Sequence, residues 1–340
     1  MENIDAIRVD GYSVMYYGQP VTIPYLDPNG TDDKSQNPKG WSFHHGRFIQ
    51  RLREAAVRET NVTVVESTVT DIVKNGWTGQ VLGVQATTNG EADYVSTLMS
   101  VVERIIVTNQ SCAKYFGSLT FVADGYASKF RKEYVHRKPI SRSKFYGLEL
   151  IDAPLPAPNH GHVVLGAGAP VLLYQIGTHE TRALIDVPEG LASASVAAGG
   201  VKSHLRNVVL PDLPSAVRPS FEAALDEGKL RSMPNSWLPP STNVTPGLIV
   251  LGDALNMRHP LTGGGMTVAF NDVVILSELL NPSRVAQFDD TKAVLAAMQT
   301  WHWRRKRLTS VINILAQALY ALFAADGEHV LRVGMLKTWC

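Results

Sequence analysis

The sequence predicts an α/β (α+β) fold in which a domain of alternating strands and helices is interrupted by an antiparallel-sheet domain. Apolar, strand-like runs precede glycine-containing turns at "LTFVADG" (119–125) and "GLIVLGDA" (247–254). Between them, residues 145–188 alternate strand and turn signals, which is typical of an antiparallel sheet. A chain of 340 residues is long enough for two domains, or for one large domain with an insertion.

Composition and charge exclude several classes of function. Hydrophobic residues make up 45% of the chain and charged residues 19%, which is ordinary for a globular protein with a buried core. The net charge of +1 gives no electrostatic basis for binding nucleic acid. Two cysteines, Cys112 and Cys340, cannot form a disulfide framework, and their scarcity suits a reducing compartment. Residues 1–30 lack the apolar core of a signal peptide.

The first third of the chain contains a predicted hairpin, a helix and two further strands. "YSVMYYG" (12–18) and "PVTIPY" (20–25) alternate around the Gly-Gln turn between them, which predicts a hairpin. "RFIQRLREAAVRE" (47–59) has apolar residues at helical spacing. "NVTVVEST" (61–68) and "QVLGVQATT" (80–88) predict strands.

The rest of the chain combines the sheet with helices. "LGAGAP" (165–170) imitates half of a nucleotide-binding glycine turn, but Pro170 and a strand follow where a helix is required, so a hairpin turn is predicted. Helical segments are predicted over 200–230 and from Met266 to about Leu280. The remainder of the chain also has a helical pattern.

The stretch "GDALNMRHPLTGGGMTVAFND" (252–272) leads from a buried strand to a helix through three consecutive glycines. The unsatisfied N–H groups of a helix start favour an anion, or a carbonyl that becomes anionic. Gly263, Gly264 and Gly265 lack the Cβ atoms that would hold a flat ring away, and Asp253 is placed to accept hydrogen bonds from ligand hydroxyls. A flavin fits both features. A strand–loop–helix connection with a solvated aspartate explains the same pattern, because short glycine motifs are weak evidence.

Several segments, in chain order, resemble the squalene epoxidase (squalene monooxygenase) family, and the fungal enzymes in particular. They are the stretch above together with "GRFIQRLREAA", "LTFVADGYASKFRK", "LLYQIGTHETR", "LRSMPNSWLPP" and "SVINILAQALYALFAA". The resemblance implies an incomplete p-hydroxybenzoate hydroxylase-like FAD monooxygenase fold with a discontinuous FAD domain. It also implies epoxidation of squalene to 2,3-oxidosqualene in sterol (ergosterol) biosynthesis, through a flavin C4a-hydroperoxide.

The resemblance assigns roles to single residues. The implied cofactor-binding residues are Arg53, Val69, Asp124, Gly125, Asp253, Gly263, Gly264, Gly265 and Met266. Tyr12 matches a tyrosine at the family's substrate pocket. Each of these residues also has a plain structural interpretation, as a surface helix, strand or turn residue, and it is their joint occurrence in order that favours binding. No catalytic side chain or metal ligand is expected, because the cofactor carries the chemistry.

The resemblance also predicts the domain division and the cellular setting. Residues 41–135 and 244–282 would form the FAD domain, residues 1–40 and 136–243 the substrate domain, and residues 283–340 a helical, membrane-associating region. Basic and aromatic residues in "WHWRRKRL", followed by an apolar helix, suit a membrane interface, although a buried helix explains them equally well. The family implies the cytoplasmic face of the endoplasmic reticulum membrane, squalene as substrate, and NADPH–cytochrome P450 reductase as electron donor.

Three departures from the family leave alternatives open. The Gly-x-Gly-x-x-Gly turn that binds the ADP part of FAD would precede Met1, and the family's second C-terminal hydrophobic segment would follow Cys340. Residues 95–114 are an insertion whose codons could carry intron signals. The first departure predicts weak FAD binding and no activity on squalene for these 340 residues. An inactive truncated paralogue and an oxygenase acting on another terpenoid are therefore alternatives to a squalene epoxidase.

Overall fold

A computed structural model describes residues 3–27, 37–87, 98–100, 104–109, 112–166 and 168–323. Cys340, the end of the predicted C-terminal region and much of the predicted insertion 95–114 lie outside these residues. The chain forms two compact units, each discontinuous in sequence. Unit 1 comprises Met1–Thr63, Arg142–Asn235 and Tyr320–Cys340, and unit 2 comprises Val64–Ser141 and Ser236–Leu319. Residues 41–63 therefore group with unit 1, and the assignment of either unit to cofactor or substrate stays a prediction.

The strands follow the alternating apolar segments of the sequence. They are β1 (Ile7–Val9), β2 (Gly11–Tyr16), β3 (Gln19–Pro24), β4 (Gly40–Ser42), β5 (Thr68–Lys74), β6 (Val81–Thr87), β7 (Leu98–Ser100), β8 (Arg104–Asn109), β9 (Cys112–Phe116), β10 (Thr120–Val122), β11 (Ile140–Ile151), β12 (His160–Leu165), β13 (Val171–Gln175), β14 (Glu180–Pro188), β15 (Arg231–Trp237) and β16 (Leu248–Val250).

The helices lie mainly in the last third of the chain. They are α1 (His45–Arg58), α2 (Arg131–Tyr134), α3 (Gly200–His204), α4 (Leu210–Asp212), α5 (Arg218–Glu227), α6 (Gly265–Leu279) and α7 (Thr291–Phe323). The predicted helices over 47–59, 200–230 and from Met266 are confirmed to within a few residues. Among the described residues, no helix combines the length and apolarity needed to cross a membrane.

Unit 1 is built on a seven-stranded sheet in the order β15-β11-β14-β13-β12-β2-β3. The β2–β3 hairpin turns through Tyr17 (φ 46°) and Gly18 (φ 80°), and positive φ at both positions is the geometry that favours glycine in two-residue hairpins. β12 and β13 pair antiparallel on either side of residues 166–170, which confirms that "LGAGAP" is a hairpin turn. Leu148, Leu173, Ile185 and, from α5, Phe221 and Leu225 form the centre of the core.

Unit 2 contains two smaller sheets. In the first, β10 lies between β16, which runs parallel to it, and β7, which runs antiparallel. The second has the antiparallel order β5-β6-β9-β8. Leu119, Val122, Ile249 and Val250 are at most 1% exposed and pack in one cluster with Trp301 of α7. The core of unit 2 thus surrounds the two short parallel strands.

One strand prediction is wrong in position. Residues 61–67 have no strand conformation, and the strand in this part of the chain is β5 at Thr68–Lys74. Val62, Val64 and Val65 are 40–53% exposed, whereas Val69 and Ile72 are buried against β6. Both segments alternate β-branched residues, so the pattern could not tell which of them pairs with a neighbour.

Candidate functional site

The candidate site lies at one edge of the parallel strand pair in unit 2. Thr120 pairs with Leu248 and Val122 with Val250, so β10 and β16 end side by side. The segments that follow these strands, 123–125 and 251–253, therefore leave the sheet at the same edge. Ligands commonly bind outside the carboxyl ends of parallel strands, because this is where the connecting loops meet.

A cavity of about 380 Å³ opens at this edge. Five of the predicted cofactor-binding residues line it, and four further residues complete its wall. The predicted ones are Gly125, Asp253, Gly263, Gly265 and Met266, and the others are Ala123, Arg258, Pro260 and Ala269. The structure therefore brings residues from both ends of the sequence motif and from the separate "VADG" segment to one surface.

The three consecutive glycines have different local environments. Gly263 adopts φ +63°, a left-handed conformation that favours glycine, and a Cβ there would meet nothing within 4 Å. A Cβ on Gly265, the first residue of α6, would also meet nothing within 4 Å. A Cβ on Gly264 would lie 2.7 Å from Ile312 Cγ2 of α7. Gly263 and Gly265 thus keep the cavity wall open, while Gly264 allows α7 to pack closely.

The start of α6 presents donors and a positive field. Gly264 occupies the N-cap position and provides no side-chain acceptor, so the N–H groups of the first turn are not capped by it. Together with the helix dipole, this favours an anionic or carbonyl oxygen in front of Gly265. Met266 and Ala269 add apolar surface on the next turn.

Two carboxylates flank this edge of the sheet. The Asp253 side chain is accessible through the cavity mouth, yet protein atoms surround it closely enough that desolvation raises the pKa of its carboxyl. Arg258 and Arg131 oppose that rise electrostatically. The Asp124 Oδ2 atom accepts a hydrogen bond from the Lys129 backbone N–H at 2.9 Å. Its Oδ1 atom is buried and has no hydrogen-bond partner among the described residues, and Asp124 does not line the cavity.

Arg131 ties the two loops of the site together. Its Nε atom donates to the Ala254 carbonyl at 2.9 Å, and its Nη2 atom donates to the Asp253 carbonyl at 3.0 Å and the Gly125 carbonyl at 3.0 Å. Burial lowers the pKa of the Arg131 guanidinium, and the charges of Asp124 and Asp253 act in the opposite direction. Asp124 and Asp253 thus belong to one unit, and Arg131 sets the spacing of their loops.

The remaining predicted site residues are not part of this cavity wall. Val69 is a buried residue of β5, and its carbonyl oxygen accepts from Lys129 Nζ at 3.4 Å. Arg53 is exposed on α1, and Tyr12 is 38% exposed on β2 with its ring edge-on to Tyr25. α1 and β2 both belong to unit 1, so the roles of Arg53 and Tyr12 stay predictions.

Sequence reasoning missed two arginines of the site. Arg258 lies inside the quoted motif and is only 8% exposed, and a lone cation in such an apolar, glycine-rich stretch is the signal that could have found it. Arg131 lies seven residues after Asp124, and the sequence alone does not show that it joins this segment to the Asp253 and Ala254 carbonyls, 122 and 123 residues further on. No group of three residues suited to hold a metal ion occurs in the part of the chain described.

Comparison with known proteins supports one family. The family model described as squalene epoxidase matches residues 116–340. A squalene epoxidase of Aspergillus fumigatus is 57% identical over 97% of this chain, and one of Gibberella zeae is 52% identical over 97%. A squalene epoxidase of Arabidopsis thaliana is 40% identical over 96%. The chain spans 64%, 66% and 57% of the length of these relatives, respectively.

Solved structures of low sequence identity show the same fold. PqsL of Pseudomonas aeruginosa, a probable FAD-dependent monooxygenase, aligns with a TM-score of 0.72 at 16% identity, covering 98% of this chain and 83% of that one. Klebsiella pneumoniae HpxO, solved with FAD and uric acid, aligns with a TM-score of 0.66 at 16% identity, covering 99% of this chain and 76% of that one. These likenesses confirm the predicted p-hydroxybenzoate hydroxylase-like FAD monooxygenase fold.

Proposed function

Because this chain belongs to the squalene epoxidase family, we propose that it binds FAD in the cavity of unit 2 and epoxidises squalene to 2,3-oxidosqualene. The observation that carries the proposal is the convergence of Gly125, Asp253 and the start of α6 on one cavity wall. These residues come from separate segments of the chain, and each segment contains one of the motifs that resemble the family.

The residues of the wall fit the flavin half of FAD. Open space at Gly263 and Gly265 admits a flat ring close to the backbone. The uncapped N–H groups of α6 suit a ring carbonyl that gains negative charge on reduction. Asp253 is exposed at the cavity and can accept hydrogen bonds from ribityl hydroxyls.

The protein's part in the reaction is to bind, orient and exclude water. FAD bound there would, once reduced by the electron donor, activate O2, so that one oxygen atom adds to the alkene and the other leaves as water. Arg258 and the α6 N-terminus would provide positive charge at the wall where the flavin ring would bind. Pro260, Met266 and Ala269 provide apolar surface that limits water at the same wall.

We further propose that the chain works with NADPH–cytochrome P450 reductase as electron donor, at the cytoplasmic face of the endoplasmic reticulum membrane. The support for membrane association is the surface of α7. Val311 and Ile314 are 62% and 67% exposed, and Trp303, 61% exposed, lies under the Lys306 ammonium at 4.5 Å. Exposed apolar residues beside aromatic and basic ones favour an interfacial helix.

A two-step experiment on the 340-residue chain tests the proposed function. FAD is first titrated against the purified protein by flavin fluorescence. The loaded protein is then incubated with reductase, NADPH and squalene in detergent, beside the Aspergillus fumigatus relative, and 2,3-oxidosqualene is quantified. Oxidosqualene from both proteins supports the proposal and overturns the expectation that these 340 residues bind FAD too weakly for activity. FAD binding with no oxidosqualene, but with oxidation of another terpenoid, favours the tailoring oxygenase. Failure to bind FAD overturns the proposal for these 340 residues.

A further inference from the structure

A line of side-chain hydrogen bonds leads from helix α7 to the cavity wall. Asn313 Nδ2 donates to Asn256 Oδ1 at 3.4 Å, and Arg258 Nη2 donates to the same Oδ1 at 2.8 Å. Asn256 and Asn313 are 0% and 3% exposed, and neither lines the cavity, whereas Arg258 does. Two buried asparagines are therefore linked in series to the guanidinium of Arg258.

The Arg258 guanidinium is held mainly by Asn256. Its Nη2 atom also donates to the Asn256 carbonyl at 3.1 Å. Its Nη1 atom faces the start of α6, but the Gly264 and Gly265 carbonyls are 3.3 and 3.4 Å away, at the long end of the hydrogen-bonding range. Its Nε atom is buried without a partner among the described residues. The two bonds to Asn256 are thus the short ones that fix the guanidinium.

Asn256 is itself fixed by the fold. Its Nδ2 atom donates to the Leu238 carbonyl at 2.7 Å, and its backbone N–H donates to the Gly252 carbonyl at 3.0 Å. Because the amide nitrogen is occupied by Leu238, the amide oxygen must point towards Arg258. This orientation is set by contacts that have no part in lining the cavity.

We propose that Asn256 is a positioning residue that fixes the Arg258 guanidinium beside the cavity and thereby favours reduction of the bound flavin. The inference rests on the proposed function, since it requires FAD in this cavity. Reduction by two electrons and one proton turns the neutral ring into an anion, and the reductant is the external electron donor. A cation held at a fixed distance stabilises that anion more than a cation free to turn away, because reorganisation is avoided. Asn313 supports the same arrangement from α7.

The test is a double-mutant cycle read by redox equilibrium rather than by turnover. The FAD-loaded 340-residue chain is reduced slowly in the presence of a reference dye, and the ratio of reduced to oxidised flavin is measured at a fixed dye ratio. Asn256→Ala is expected to lower that ratio by up to about tenfold, the limit reached if the free energy of one hydrogen bond to a charged group is lost from the reduced state alone. Arg258→Met is expected to lower it at least as much. The double variant should fall no further than Arg258→Met, because Asn256 acts only through Arg258.

Two further variants control for general effects of changing a buried polar residue and for poor folding of Asn256→Ala. Thr309→Val is the matched control, since Thr309 is a 0% exposed residue one turn before Asn313 on the same helix, and its hydroxyl has no partner among the described residues. It should leave the redox ratio unchanged. Asn313→Ala should shift the ratio in the same direction as Asn256→Ala but less, which keeps a readout if Asn256→Ala folds poorly.

The outcomes separate this inference from the proposed function. Additive effects of Asn256→Ala and Arg258→Met, or an unchanged ratio in folded, FAD-loaded Asn256→Ala, overturn the positioning role and leave the cofactor assignment intact. A wild-type chain that binds no FAD overturns both. A non-additive pair with an unchanged Thr309→Val control supports the inference.

Discussion

Arg305 holds Asp272 by two hydrogen bonds in the core of unit 2. Arg305 Nε donates to Oδ1 at 2.8 Å and Arg305 Nη2 donates to Oδ2 at 2.5 Å, and both side chains are 1% exposed. The Trp301 ring lies 4.7 Å from the guanidinium, and its Nε1 atom donates to the Asp272 carbonyl at 3.1 Å. This cluster joins α6, whose first turn forms the cavity wall, to α7.

Removing one member of this pair is expected to destabilise unit 2 strongly. Arg305→Met leaves a carboxylate buried without its partner, and such losses cost about 3–5 kcal/mol of unfolding free energy. The neighbouring pair Arg304–Glu278 joins the same two helices at the surface, with side chains 42% and 50% exposed, so Arg304→Met should cost about 1 kcal/mol or less. Urea denaturation of both variants provides the measurement. If Arg305→Met and Arg304→Met lost the same unfolding free energy, burial would not be what makes the Arg305–Asp272 pair important for stability.

Asp253 is expected to contribute to FAD affinity and little to stability. It lies at the cavity mouth, so Asp253→Ala removes a hydrogen-bond acceptor for the ligand without opening a hole in the core. The loss should be about 1.5–3 kcal/mol, or about ten- to a hundredfold in the dissociation constant. Flavin fluorescence titration measures it. Glu66→Ala, which removes another exposed carboxylate of the same unit, is the control. Equal FAD affinity in the wild type, Asp253→Ala and Glu66→Ala would show that the motif is only a strand–loop–helix connection.

Gly264 and Gly265 should respond differently to the same substitution. Gly264→Ala places a Cβ 2.7 Å from Ile312 Cγ2, and overpacking of this kind costs about 1–3 kcal/mol of stability. In an Ile312→Ala background that cost should largely disappear, because the clashing atom is gone. Gly265→Ala meets no protein atom within 4 Å and should leave stability intact or raised, while FAD affinity falls because the methyl group projects into open space at the cavity. Thermal denaturation and FAD titration of the four variants separate the two roles.

The sequence predicted the parts of the site that are local and missed those that are not. The glycine run, Asp253 and the start of α6 follow from a strand, a turn and a helix that are contiguous in the chain. The parallel pairing of β10 with β16 joins residues 128 positions apart, and no periodicity within either segment specifies its neighbour. Arg131 was missed because it joins two loops whose sequences do not indicate each other, and its partners at Asp253 and Ala254 lie 122 and 123 residues further on.

The strand error has a related cause. "NVTVVEST" and the residues after it carry similar alternation, and what distinguishes them is the partner strand. Ile72 pairs with Val84 of β6, whereas Val64 and Val65 are about half exposed. Alternation of apolar and polar residues indicates that a segment can form a half-buried strand. The tertiary fold determines which of two such segments pairs with a neighbouring strand.

His162 is expected to make the stability of unit 1 depend on pH. It is 1% exposed on β12, and its Nε2 atom accepts a hydrogen bond from the Ala157 backbone N–H at 3.1 Å, which requires the neutral ring. Desolvation, with a smaller contribution from the His160 charge, lowers its pKa to about 4. The unfolded chain, with an ordinary histidine pKa of about 6.5, therefore takes up this proton first as the pH falls.

The sign and size of the His162 effect follow from that difference. Above about pH 6.5 the histidine is neutral in both states, and its contribution to stability is fully present. As the pH falls from about 6.5 to about 4 that contribution is lost progressively, and the free energy of unfolding decreases by about 3 kcal/mol in total. Urea denaturation at pH 7.5, 6.0 and 5.0 should show a smaller decrease in His162→Gln than in the wild type, relative to each protein's value at pH 7.5. His45→Gln, at an exposed position of the same unit, is the matched control and should retain the wild-type slope. A wild-type slope in His162→Gln would show that the acid sensitivity arises elsewhere, because replacing the ring removes the only proton that this argument counts.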